Sequence, residues 1–527
     1  MSKNKNKNVK VGFAIYPSVK LVDIVDDAKT NTKKTVFLKT LLFGDYIEAN
    51  LDDNNELVTV KVGKEEYISV YCRGKEGYIK KKEMQSERPL EVNFIDVGQG
   101  DGCHIVTPDD KHFLVDAGKG DNMYRFLRWR FNLNETGNKT PGLTMVITHS
   151  DTDHYKGFKP IIDDASLKKP QINLKKIYHN GMVEGSGSGL ESLGTLVTKG
   201  DNRYITDLCE KDADFQRRLE DVESGKIKAG VYLNMLKKAK VKKEGLRAGT
   251  KDEPVYLYNK NGMTMEIMGP VAEDVDGKPA LRVFGDTGKT KNGHSVVIKL
   301  TIGHMKMLLG GDLNTESEYH LIKAYSGKDL TAIKAVLADK KTDEETRKAK
   351  EAELEQAIHD AGLSLGVDIA KSCHHGSDDF SSEFLRVLNP IATVISSGDD
   401  EPYCHPRPDT LGTIGKYSRG NRPMIYSTEL ARSSKEYIEL NKLIEKEEAQ
   451  EKAEAKKNGK KKNSSDKDSK ERVVTVYGMI NVRTDGNNAI FAQKLERTAT
   501  NGNTWDIHKL EWNKKKGEFE LVGSKEK

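Results

Sequence analysis

Apolar residues along this chain come in short runs separated by turn residues and long polar stretches. Residues 10–15, 57–60 and 67–70 are runs of β-favouring residues set between Gly, Asn and Asp, which predicts a small all-β unit over about 9–86. A second series starts near Pro89. Residues 91–96, 103–106, 113–115, 143–147 and 263–268 read as strands. Residues 293–300 and 305–309 read as a hairpin turning at Gly303, followed by a strand at 392–396. The last strands, within 473–483 and 489–492, are divided by Asp485-Gly486, a hairpin signal. Residues 124–131 alternate aromatics with arginines, which suits an amphipathic helix or a clamp on a nucleic-acid strand.

The segments between these runs divide the chain further. Residues 1–8 are a Lys/Asn-rich tail expected to be disordered, and 89–527 form one larger α+β domain with insertions at about 165–255, 326–362 and 434–471. Within the first insertion, the Gly-Ser repeat 185–189 is a flexible turn, because no Gly-Lys-Ser/Thr follows it. Residues 212–243 look helical and end in Lys237, Lys238, Lys240, Lys242 and Lys243, a phosphate-facing patch or a solvated face. A helix with a charged insertion is expected over 316–361. Residues 434–471 are almost wholly polar and read as a charged, partly disordered linker before the final strands.

Composition narrows the class of protein. The chain has 527 residues, 36% hydrophobic and 32% charged, so it holds a core beneath a very polar surface. No apolar run approaches the ~20 residues that cross a bilayer, and the N-terminus lacks the apolar stretch of a secretory signal. Cys72, Cys103, Cys209, Cys373 and Cys404 are scattered, which suits reduced thiols in the cytoplasm and no membrane partner. A net charge of +5 permits a nucleic-acid partner without arguing for one.

The candidate chemistry sits after the run 143–147. His149, Asp151, Asp153 and His154 fall within six residues, dense enough to hold two cations side by side. Asp116 ends an earlier strand, Asp312 follows Gly310-Gly311 at the end of the hairpin, and His374-His375 follow residues 368–373. A two-metal hydrolase wants ions about 3.5–4 Å apart, one shared carboxylate and several imidazoles or carboxylates. Asp312 is the natural bridge. His149 and Asp151 serve one ion, and Asp153, His154 and His374 the other. His294, at the start of the strand before Asp312, is a further candidate ligand.

Residues 94–101 (Phe-Ile-Asp-Val-Gly-Gln-Gly-Asp), the His149–His154 run, 308–312, His374-His375-Gly376-Ser377 and His405-Pro406-Arg407-Pro408 together resemble the metallo-β-lactamase superfamily. Within it they resemble the hydrolase domain of the ComEC family of DNA-uptake proteins. The resemblance covers about 90–495 without the insertions. It implies an α+β fold, the αββα metallo-β-lactamase sandwich, with the metals at the strand ends. Residues 42–47 and 74–79 resemble bacterial SH3-like domains, a small β-barrel that could dock a protein partner. Asp151 stands where the superfamily more often has His, which shifts the preference from Zn²⁺ towards Mn²⁺. Position 294 is often Asn in the ComEC-like group. The transmembrane channel of that family has no counterpart here, so only hydrolase chemistry carries over.

The expected activity is hydrolysis of a DNA or RNA phosphodiester by a hydroxide activated between two divalent ions, Zn²⁺ or Mn²⁺. Asp153 and His405 are the candidate catalytic groups, His405 orienting or protonating the leaving oxygen. Asp96, Asp116 and His375 support the ligands. Lys156, Ser377 and Arg407 are candidate phosphate contacts. The alternatives are an esterase acting on phosphocholine or another small phosphodiester, and a scaffold whose metal is structural.

Overall fold

The computed structural model describes residues 8–27, 32–398, 404–420, 422–428, 478–495 and 504–523. The linker expected at 434–471 and all of the expected tail except Asn8 lie outside them.

The N-terminal unit is an eight-stranded sheet whose described pairings are antiparallel. Alternate residues of its strands turn inward, as the two-residue strand period requires. Val19, Leu21, Leu41, Ile47, Ile68, Val70 and Ile79 form its core. The unit is packed against the rest of the chain. Leu42 and Phe43 meet Ile490, Ala492 and Trp505 in a separate buried cluster. Beside it, Arg483 Nη1 donates to Phe43 O and to Asp45 Oδ1, both at 2.7 Å.

Two large sheets and a small four-stranded one make up the remainder. Of the large sheets, one has ten strands, the other seven. In the first, Gly142–Val146 runs parallel to both His112–Ala117 and Asn173–His179. In the second, Met305–Leu309, Ile369–Lys371, Ala392–Ile395 and Met424–Ser427 are parallel neighbours. Phe94, Ile105 and Val115 from one sheet share a core with Met265, Ile298 and Leu309 from the other. The opposite faces are buried too. Leu114, Met145 and Ile177 pack beneath Phe126, Ile161 and Leu236 of the helices Asn122–Arg130, Lys159–Ala165 and Val231–Lys238. Val297, Leu308 and Ala370 pack beneath Leu321, Leu330, Ile358 and Phe384 of four further helices. The chain is therefore mixed α and β, layered helix–sheet–sheet–helix. That is why its strands read as continuous apolar runs: sheets covered on both faces bury successive side chains.

Several segments differ in detail from their expected form. The range 165–255 contributes Asn173–His179 and Lys242–Gly245 to the ten-stranded sheet. Residues 212–243 form two helices, Asp212–Glu223 and Val231–Lys238, before that last strand. The helix expected over 316–361 is three helices, Thr315–Ser326, Leu330–Ala338 and Glu344–Leu365. The first stops at Gly327, whose φ of 75° suits glycine at a helix end. Met123, Phe126 and Leu127 point inward from residues 124–131 and their neighbours, while Arg130 pairs with Glu91. The hairpin turns at Gly303, as expected. Among the described residues, no helix is long and apolar enough to cross a membrane.

Ile480–Thr484 pairs antiparallel with Leu90–Phe94, so the late strands complete the sheet that the early ones begin. The ends of His112–Ala117, Gly142–Val146, Met305–Leu309, Ile369–Lys371 and Ala392–Ile395 all lead into one region.

Candidate metal centre

The loop after Gly142–Val146 is shaped by one carboxylate. Thr148 donates to Asp116 through its amide (2.8 Å) and its hydroxyl (2.6 Å). Asp116 Oδ2 also lies 2.8 Å from His154 Nδ1. A proton on Nδ1 then serves Asp116, and Nε2 of His154 is left with its lone pair directed into the centre. Close backbone approach finishes the loop: a Cβ on Gly100 would lie 1.7 Å from Asp153 O, and one on Gly157 2.0 Å from Ala117 O.

Asp101, His154, Asp312 and His375 meet at the bottom of this region, all buried, with their donor atoms all within 4.8 Å of one another. His154 Nε2 is 3.0 Å from Asp312 Oδ2 and 3.3 Å from His375 Nε2. His375 Nε2 is 3.2 Å from Asp312 Oδ2 and 3.8 Å from Asp153 Oδ2. On the far side of its ring, His375 Nδ1 lies 3.1 Å from both Ser396 O and Asp101 Oδ1. Lys371, in the buried strand Ile369–Lys371, pairs with Asp101 and donates to Gly311 O at 3.0 Å. Its ammonium is 3.7 Å from Asp312 Oδ1.

The electrostatics ask for positive charge. Burial alone would raise the Asp312 carboxyl, but the imidazoles of His154 and His375 hold it well below the usual range. Burial opposes charge on His154, yet Asp312 and Asp116 drive it well above an ordinary histidine. His375 is pushed up to about 10 by Asp312 and Asp101 against the same penalty. With each Nδ1 proton committed outward, two imidazole lone pairs and a carboxylate oxygen converge on one point. Only extra protons or a cation reconcile that convergence. Asp312 Oδ1 and His149 Nε2 are buried and have no hydrogen-bond partner among the described residues. The donors are oxygen and imidazole nitrogen, a set that suits a divalent ion such as Mn²⁺ or Zn²⁺. The residues therefore fit a metal.

The remaining expected residues fall into groups. His149 is buried, with Nε2 3.9 Å from Asp151 Oδ2, and burial, then His154, lowers its pKa to about 4. Asp151, Asp153, His374, Ser377, His405 and Arg407 line a cleft of about 950 Å³ whose floor holds Asp312 and His375. The rings of His374 and His405 lie 5.8 Å apart. Burial, then His375 and His374, lowers His405 to about 4. Lys156 is exposed and is not part of the cleft wall. Asp96 Oδ1 accepts from Gly98 N at 3.2 Å, within its own turn.

Two placements differ from expectation. His294 is not brought to the cluster. It caps the short helix Thr287–Gly293, stacks on Phe284, and its Nε2 contacts Arg282 O at 2.6 Å. The neighbouring Asn292 lines the cleft instead. Of the histidine pair, His375 enters the four-residue group and His374 faces the cleft, because both have positive φ (54° and 48°) in a tight turn. Asp101, Lys371, Lys291 and Ser396 were not anticipated. An acid inside the Gly98–Gly102 turn and a lysine inside an apolar strand were the available signals.

No family model matches this chain. ComE operon protein 3 of Bacillus subtilis (strain 168) is 23% identical to it over 344 residues, 62% of this chain and 31% of that protein. The match thus spans about a third of that relative's length.

Proposed function

We propose that this chain is a metal-dependent hydrolase of the metallo-β-lactamase type, and that it cleaves phosphodiester bonds in a nucleic-acid strand. The convergence of Asp101, His154, Asp312 and His375 at the floor of an open cleft carries this reading. The distant similarity to ComE operon protein 3, the helix–sheet–sheet–helix layering and the motif order support it.

Asp312, His154 and His375 would hold the metal, with Asp153 and Asp101 beside them. When bound, a divalent ion supplies a Lewis acid for phosphoryl oxygen and lowers the pKa of water. The chain's own groups do the rest. Asp116 keeps the Nδ1 proton of His154 in place, and Ser396 O with Asp101 does the same for His375. Gln99 Nε2 holds Asp153 Oδ2 at 3.4 Å. His405, with its lowered pKa, is neutral near pH 7 and would offer an acceptor nitrogen at the rim. Ser377 and Arg407 offer donors to a phosphate. The N-terminal sheet, read as SH3-like, would recruit a partner or substrate.

The test is to incubate purified protein with single-stranded DNA, RNA and a chromogenic phosphodiester, with and without Mn²⁺. Asp312→Asn should abolish metal-dependent cleavage while the circular dichroism spectrum stays unchanged. Full activity in that variant removes the proposal. Cleavage of the chromogenic ester alone removes its nucleic-acid part.

A further inference from the structure

The expected second ion would rest on His149 and Asp151, yet Asp151 is already engaged. Lys291 Nζ lies 2.5 Å from Asp151 Oδ1 and 3.5 Å from Glu184 Oε2, with only 14% of its side chain exposed. Lys291 is set in place by its helix, Thr287–Gly293. Asp286 Oδ1 accepts from Lys289 N at 2.8 Å to cap that helix. Asn314 Nδ2 donates to Lys289 O at 2.9 Å, and Asn180 Nδ2 to His294 O at 3.0 Å, bracing the helix end from two other elements. Thr290, Asn292 and Gly293 bury its inner face. Among the described residues, the group able to surround one ion includes neither His149 nor Asp151.

We propose that Lys291 stands in for the second cation, so that this centre works with one divalent ion and one ammonium. The inference rests on the proposed metal-dependent hydrolase. A lysine ammonium is a compact positive charge with three donors. At Asp151 it neutralises the carboxylate that would otherwise hold a second ion. A dication there would have to displace it, because two positive charges on one partly enclosed carboxylate repel strongly. Lys291 also lines the cleft beside Asp153 and Asp312. From there its one remaining donor could reach an anionic phosphoryl oxygen in the cleft. The arrangement suits a singly charged diester, which needs less neutralisation than a terminal phosphate.

The experiment counts metal. Full-length protein is reconstituted with Mn²⁺, and bound metal is measured by elemental analysis and titration calorimetry. Electron paramagnetic resonance then separates isolated from spin-coupled ions. The wild type should bind one Mn²⁺ per chain with an uncoupled spectrum, and Asp312→Asn should lose it. Lys291→Met frees Asp151 and should bind a second ion at least tenfold more tightly than the wild type does, with spin coupling. Two ions of similar affinity in the wild type overturn this inference and leave the hydrolase proposal standing. So does a Lys291→Met protein whose binding matches the wild type, with Lys291→Gln as the second variant if Met impairs folding. A folded wild type that binds no Mn²⁺ overturns both.

Discussion

His154 Nδ1 lies 2.8 Å from Asp116 Oδ2, and neither residue is exposed. The contact fixes which nitrogen of His154 faces the centre. Asn in place of Asp116 keeps the shape and tolerates the positive φ of 56°, but no longer accepts from both Thr148 and a charged or metal-bound imidazole. Asp116→Asn should fold normally and lose about 10–100-fold in Mn²⁺ affinity, measured by titration calorimetry.

The two adjacent histidines should separate cleanly. His375→Ala removes a member of the buried group and should abolish Mn²⁺ binding. His374→Ala removes a cleft-lining ring whose Nδ1 has no hydrogen bond among the described residues, and should keep metal while turnover falls about tenfold or more. Equal metal loss in both variants would contradict this division.

His294→Ala should leave Mn²⁺ affinity within about twofold of wild type, since its Nε2 is engaged with Arg282 O. The loss of a buried, stacked ring should instead cost about 1–3 kcal/mol of stability, read from urea unfolding.

Glu318, in the helix Thr315–Ser326, is fully buried and accepts from Ser381 N at 2.6 Å. Burial, with Asp379 and Glu383 nearby, pushes its carboxyl up to about 8. Between the unfolded value of 4.5 and about 8, the folded state holds more protons than the unfolded one. Stability contributed by this group is therefore present below pH 4.5 and is lost as pH rises through about 8. Glu318→Gln should flatten that loss and raise stability at alkaline pH by about 2–4 kcal/mol, while matching the wild type at acid pH. Melting curves across pH would show it.

Arg483 compensates Asp45 and lies 3.6 Å from Glu91, all three buried. Glu91 keeps its bidentate pair with Arg130, but Arg483→Met takes from buried Asp45 its nearest cation and should destabilise the protein by about 3–5 kcal/mol in a denaturant titration.

Much of this architecture was legible in the sequence because its strands are buried on both faces. Runs such as 113–115 and 305–309 stand out without any need for alternation. The loop from His149 to His154 was legible because its ligands crowd into six residues. Residues that act singly across space were not. Asp101 reads as turn chemistry until the fold places it 3.1 Å from His375. Which of His374 and His375 faces inward depends on two left-handed backbone angles, and no residue pattern encodes those in advance. Hairpin position alone points His294 at the centre, but Thr287–Gly293 is helical and turns the ring towards Arg282. Nothing in the residues around Lys291 sets it apart from the other lysines of a highly charged chain.

Pairing between Ile480–Thr484 and Leu90–Phe94 has a consequence for when the protein becomes competent. The centre joins His154 to Asp312 and His375, partners 158 and 221 residues away. Such contacts close slowly, after long loops have been ordered. The strand carrying Phe94, next to the turn that holds Asp101, stays an open edge until Ile480–Thr484 has been made. A ribosome-bound fragment ending before Ile480 would lack that neighbour and the arginine that ties down Asp45. The order of synthesis would then leave this edge unpaired until residues 480–484 emerge.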